Sequence, residues 1–156
     1  MATTNFSGPI TACQIRNTSG TTLGDNIKNV GFVSMAQSVK VDINGASHLN
    51  QVCAVIPANS QITDVILNVT TANDDGAASS VSVGTIADAN AFINAQSVQA
   101  LGTTHGVLDT EATNVGTTDI QVLADFTATT GDGTAGVGTV TVLYIQNNSV
   151  QDAADL

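Results

Sequence analysis

From about residue 37 onward, apolar side chains recur at every second position and most of them are β-branched, a pattern that predicts strands with one buried face. Val39, Val41 and Ile43 alternate with Ser38, Lys40 and Asp42 until Asn44-Gly45, a two-residue turn signal. Val52, Ala54 and Ile56 follow and stop at Pro57-Ala58-Asn59-Ser60. Val65, Leu67 and Val69 face one way and Asp64, Asn68 and Thr70 the other, until Asn73-Asp74-Asp75-Gly76 breaks the run. Val81 and Val83 make a short run ending at Gly84. Ile120, Val122, Ala124 and Phe126 form another, and Gly131-Asp132-Gly133-Thr134-Ala135-Gly136 leads from it to Val140, Val142 and Tyr144. The last two runs and the segment joining them read as a hairpin.

On the final run Leu143 and Ile145 make the second face apolar as well, which predicts a strand covered on both sides, either central in a sheet or pressed against another subunit. Leu143, Tyr144 and Ile145 are therefore the candidate subunit interface. The helix-like stretch Asp88-Ala89-Asn90-Ala91-Phe92-Ile93 is long enough for a single turn capped by Asp88. Residues 1–36 read as an extended N-terminal arm with one possible short strand around Cys13–Arg16, because Thr, Ser, Gly and Asn interrupt the apolar pairs. Residues 37–148 read as the β-sandwich domain and 149–156 as a solvated C-terminal tail. Six or more short strands spaced near ten residues apart, with Gly, Asn and Asp turns, make the fold class all-β: an antiparallel β-sandwich or jelly roll, with a partly open barrel as the alternative. The core is built from Val, Ile, Leu and Ala, since Phe6, Phe32, Phe92, Phe126 and Tyr144 are the aromatic residues.

Charge changes the picture more than composition does. Of 156 residues, 42% are hydrophobic and 10% charged, so the chain has the apolar content for a core that a disordered acidic tail lacks. With Arg16, Lys28 and Lys40 as its cations and a net charge of −10, it cannot neutralise a row of phosphates, which argues against a nucleic-acid partner. Residues 1–40 carry a net +2 and residues 41–156 a net −12. An acidic body with a neutral-to-basic arm predicts that the arm docks on an acidic partner, with Arg16, Lys28 and Lys40 as the partner contacts; compositional drift is the competing account. The apolar runs fall far short of a membrane span, so no membrane partner is expected, and Met1–Pro9 has neither the basic nor the apolar region of a secretory signal. Cys13 and Cys53 lie in apolar stretches without CxxC spacing and read as buried free thiols, with a bridge between them open if their strands lie side by side.

A search for chemistry returns little. His48 and His105 have no metal-ligand spacing and read as surface-loop residues, and no Gly-x-Ser-x-Gly elbow sets up a nucleophile. Asp74-Asp75 and Asp109-Thr110-Glu111 pair carboxylates, but in turn-like segments that read as solvated loops; the absence of Trp weakens a sugar-binding cleft. Calcium is the least implausible ion, with the loops at Asp74, Asp88 and Asp132 as its oxygen sources, yet none follows the EF-hand pattern. The expectation is a protein that is not an enzyme and has no cofactor or metal.

Pro57-Ala58-Asn59-Ser60-Gln61-Ile62-Thr63-Asp64-Val65, followed by Val69-Thr70-Thr71-Ala72, Val81-Ser82-Val83-Gly84-Thr85 and Asp88–Ile93, resembles small β-rich virion proteins of tailed bacteriophages. Capsid decoration, or cement, proteins and small head or tail accessory proteins belong to this group. The resemblance runs from about Pro57 to Gln146 and is one of style and segment order. It implies a structural protein on the outer capsid surface of a virion, made in the host cytoplasm, that binds the major capsid protein and self-associates, with a trimer favoured. The alternative it leaves open is a tail or fibre accessory protein. It carries over no catalytic or binding residue.

Overall fold

The computed structural model of the protein describes residues 15–16, 28–29, 34–110 and 114–146. The chain divides into two units, Met1–Phe32 and Val33–Leu156. In the first, β1 (Ile15–Arg16) pairs antiparallel with β2 (Lys28–Asn29), a strand pair where the sequence offered one strand.

The second unit holds eight strands: β3 (Ser34–Asp42), β4 (His48–Ile56), β5 (Gln61–Thr71), β6 (Ser79–Thr85), β7 (Ile93–Ser97), β8 (Gly102–His105), β9 (Ile120–Ala128) and β10 (Val137–Ile145). They form two four-stranded antiparallel sheets, ordered β3-β10-β5-β8 and β4-β9-β6-β7. The expected antiparallel sandwich is what forms, and its two separate sheets replace the barrel alternative. Within this unit the chain changes sheet at every connection between strands except β6 to β7. This corrects the hairpin reading of the last two runs: β9 pairs with β4 and β6 in one sheet, β10 with β3 and β5 in the other. Alternation specifies which face of a strand is buried; it does not specify which sheet the strand joins.

The inward faces supply the core. Val140, Val142 and Tyr144 of β10 meet Val65, Leu67 and Ile62 of β5 on one sheet; Val81, Val83, Val122, Ala124 and Phe126 line the other, and all are buried. As expected the core is mainly Val and Ile, with Phe92, Phe126 and Tyr144 as its described aromatic members. Cys53 is a buried free thiol, and burial pushes its pKa up to about 12; Cys13 lies outside the described residues.

Along one long edge the sheets are clasped by two glutamines. On β3, the Gln37 amide nitrogen donates to the carbonyl of Val55 on β4 at 2.8 Å and its oxygen accepts from the Val55 N–H at 3.1 Å. On β4, Gln51 does the same to Asp42 of β3: its oxygen accepts from the Asp42 N–H at 2.7 Å and its nitrogen donates to the Asp42 carbonyl at 2.9 Å. Each side-chain amide imitates a missing strand, so edge groups that no ladder reaches are satisfied. Gln37 also donates to the Tyr144 hydroxyl at 2.9 Å, tying the clasp to the core.

Candidate interaction surface

The outward face of the β3-β10-β5-β8 sheet holds three of the six residues that the sequence marked for contact: Lys40, Leu143 and Ile145. Register places Thr139 between Lys40 and Asn68, Thr141 between Ser38 and Ile66, and Leu143 between Ala36 and Asp64. Lys40 is exposed, and Leu143 and Ile145 are half-buried on the outer side of a central strand. Tyr144 faces the other way: it is buried in the core and its hydroxyl is held by Gln37, so the outward surface of this segment is Leu143 and Ile145. Arg16 and Lys28 stand opposite each other in the β1–β2 register, in the other unit.

The histidines occupy strand ends, where the sequence suggested loops. His105 closes β8, and its Nδ1 lies 2.8 Å from Asp64 Oδ2 on the same outward face. His48 opens β4 and stacks against Phe126, ring centroids 6.3 Å apart, with Nε2 3.5 Å from Asp42 Oδ2.

At one end of the sandwich the β5–β6 and β9–β10 loops interlock around carboxylates, which brings Asp74, Asp75 and Asp132 together and leaves Asp88 elsewhere. Asp74 Oδ1 accepts from the N–H groups of Thr134 and Ala135 at 2.7 and 2.8 Å, and Oδ2 from the Thr134 hydroxyl at 2.9 Å. These donors hold its pKa below the usual carboxylate range. Asp75 departs from the solvated-loop reading because its side chain is buried. It accepts from the Thr130 hydroxyl and from the N–H groups of Ala77 at 3.1 Å and Gly131 at 3.0 Å. The Thr130 hydroxyl is the largest cause that lowers its pKa to about 2. Asp132 Oδ1 accepts from the Thr130 hydroxyl at 2.6 Å and from the Gly76 N–H at 3.3 Å. Beneath them, buried Asn73 donates to the Ile43 carbonyl at 2.7 Å and accepts from the Ser79 hydroxyl at 2.7 Å and the Asp75 N–H at 3.0 Å. Among the described residues, no group of three His, Cys, Asp or Glu side chains is arranged to hold a metal ion. The bonds these carboxylates make are those of loop closure.

Asp88 lies on the β6–β7 loop. Its carbonyl accepts from the N–H groups of Thr85 at 2.7 Å and Ala91 at 3.3 Å, and its carboxylate from Asn90 N–H at 3.2 Å. The expected helical turn is thus a bonded turn, and the chain passes directly into β7. Sequence reasoning missed β7 and β8, whose residues Ile93-Asn94-Ala95-Gln96-Ser97 and Gly102-Thr103-Thr104-His105 carry almost no apolar alternation.

No family model matches the sequence, and no curated protein does. Solved structures do. A chain in the acid-stable capsid structure of Helicobacter pylori bacteriophage KHP30 matches 74% of this chain and 89% of its own length, at 19% identity and a TM-score of 0.57. A chain of the cyanophage Pam1 capsid asymmetric unit matches 83% of this chain and 96% of its own length, at 13% identity and a TM-score of 0.54. A chain from the capsid of Ralstonia phage GP4 matches at 15% identity and a TM-score of 0.46. The first two share the fold of this protein across nearly their whole length.

Proposed function

We propose that the protein is a non-enzymatic structural component of a bacteriophage virion that sits on the outer surface of the capsid and stabilises it by bridging neighbouring capsid subunits. The observation that supports this reading is the fold shared with chains of two phage capsid structures, KHP30 and Pam1. The strand order β3-β10-β5-β8 over β4-β9-β6-β7 supports reading the sandwich as an eight-stranded jelly roll, an architecture that viral capsid domains use.

The mechanism is additive burial. A protein that covers the boundary between two major-capsid subunits must lose its own contacts before those subunits can separate, so each bridge raises the work of opening the shell. Self-association, with three copies as the working stoichiometry, lets one assembly touch several subunits, and the outward Leu143 and Ile145 are the side chains proposed to meet another copy. Arg16, Lys28 and Lys40 are the proposed charged contacts to acidic positions on the shell.

The test is the protein content of purified virions. This reading expects the protein in copy numbers close to those of the shell subunits, and loss of the protein to lower the temperature at which particles release DNA. A few copies per particle would assign it to the tail or a fibre instead. Its absence from virions would overturn the proposal.

A further inference from the structure

A cleft of about 560 Å³ opens beside the outward face of the β4-β9-β6-β7 sheet, walled by Val55, Ile86, Ala87, Val115 and Ile120, with Asp119 as its charged lining residue. Ile86 is 79% exposed and Val55 45%; Val52, on the same outward face of β4, is 51% exposed. The wall is held in place. An added side-chain carbon on Gly84 would lie 2.1 Å from the Asp88 carbonyl oxygen, so the β6–β7 loop is pressed onto the sheet, and bonds from Thr85 and Phe92 N–H close it at both ends. Ile86 and Ala87 are therefore presented on a fixed turn.

The charge beside the cleft is negative: Asp119 lines it, and Asp88 directly follows the lining residue Ala87. Within the second unit the one lysine or arginine is Lys40, on β3 in the other sheet; Arg16 and Lys28 belong to the first unit. A second copy offering this same face would set aspartate against aspartate, whereas an apolar side chain flanked by cations meets both the cleft and its border.

We propose that this cleft receives an aliphatic side chain flanked by lysine or arginine, contributed by a neighbouring capsid-shell subunit. The inference rests on the virion reading above and adds to it a docking face on the β-body, separate from the N-terminal cations. Apolar burial at the centre supplies most of the hold, and Asp119 with Asp88 favours a basic partner and adds a modest dependence on salt.

The experiment is rebinding of purified full-length protein to particles assembled without it. Ile86→Asp, on an exposed turn, is expected to keep the wild-type melting temperature and bind about tenfold more weakly or worse, as loss of a central interface anchor does. Asp119→Asn keeps an acceptor for the Ala58 N–H, which now bonds Oδ1 at 2.9 Å, and is expected to bind several-fold more weakly with a shallower dependence on salt. Rebinding of Ile86→Asp at wild-type affinity would overturn the docking site. Loss of self-association by free Ile86→Asp, with particle binding intact, would make the occupant a second copy and overturn the proposal as well. Wild-type protein that binds no particle would remove the virion reading itself, an outcome distinct from both.

Discussion

Asn73 shows how much one buried side chain can organise. Its amide serves three places at once, Ile43 after β3, Asp75 in its own β5–β6 loop and Ser79 at the start of β6. Asn73→Ala leaves a buried carbonyl, an N–H and a hydroxyl without these partners, and each such group costs about 1–3 kcal/mol, moderated where water enters. A loss of about 2–4 kcal/mol is expected from the urea midpoint at constant slope. Asp75 sets a pH dependence. Its folded pKa of about 2 lies below the roughly 3.9 of an unfolded aspartate, so the folded state gains stability from this group above about pH 4 and loses it as pH falls towards 2. Asp74, lowered by its N–H and hydroxyl donors, acts in the same direction. Urea midpoints measured from pH 5 down to pH 2 should fall for the wild type and fall less for Asp75→Asn; parallel curves would show that Asp75 is not the group responsible. The residue types in these loops were legible, and Asp74 and Asp132 were marked as oxygen sources. Their real partners were not, because Thr130, Thr134 and the backbone N–H groups reach them only after the two loops have met in space.

Elements were legible in proportion to the apolar alternation that they carry. The six runs with apolar alternation all became strands, and β10 lies inside its sheet, one of the two readings that its apolar faces left open. The edge strands β7 and β8 escaped because they are short, five and four residues, and carry almost no period-two apolar pattern, whereas the nine-residue edge strands β3 and β4 keep theirs. The Gly131–Gly136 segment looked like a hairpin turn for a related reason: glycine marks a change of direction and says nothing about destination. Gly84 is the element-scale position where a single methyl group should matter. Gly84→Ala must lift the β6–β7 loop from the sheet, so we expect a loss of about 1–3 kcal/mol and faster exchange at the Thr85 and Phe92 amides. The glutamine clasp makes a separate prediction. Replacing Gln37 and Gln51 together by Leu should cost about 1–3 kcal/mol and speed exchange at the Val55 and Asp42 amides, while core amides such as Val83 keep their protection relative to the global limit.

At the scale of the molecule, the charge map divides the labour. The segment before residue 41 holds Arg16, Lys28 and Lys40, and the remainder is acidic without a lysine or arginine. If the arm is an attachment device, deleting residues 1–24 should leave a folded body, with a β-type circular dichroism spectrum, that binds particles far more weakly. Because exposed ion pairs contribute only about 0–1 kcal/mol each, salt alone should weaken binding modestly. Retention of full occupancy by the truncated protein would place attachment on the body. The β3–β10 register bears on how such a body can be held. Ser34, where the chain enters the sandwich, lies directly opposite Ile145, where β10 ends, and the two strands run side by side to Asp42 and Val137. Tension applied between the two ends of the chain would therefore open this pair like a zipper, one rung at a time, and the clasp at Gln37 would be the first side-chain bond in its path. Tension between the N-terminal end and a point on the far face would instead load the rungs of the ladder in parallel. A protein built this way carries load well when anchored by one end and one face, and poorly when anchored by both ends.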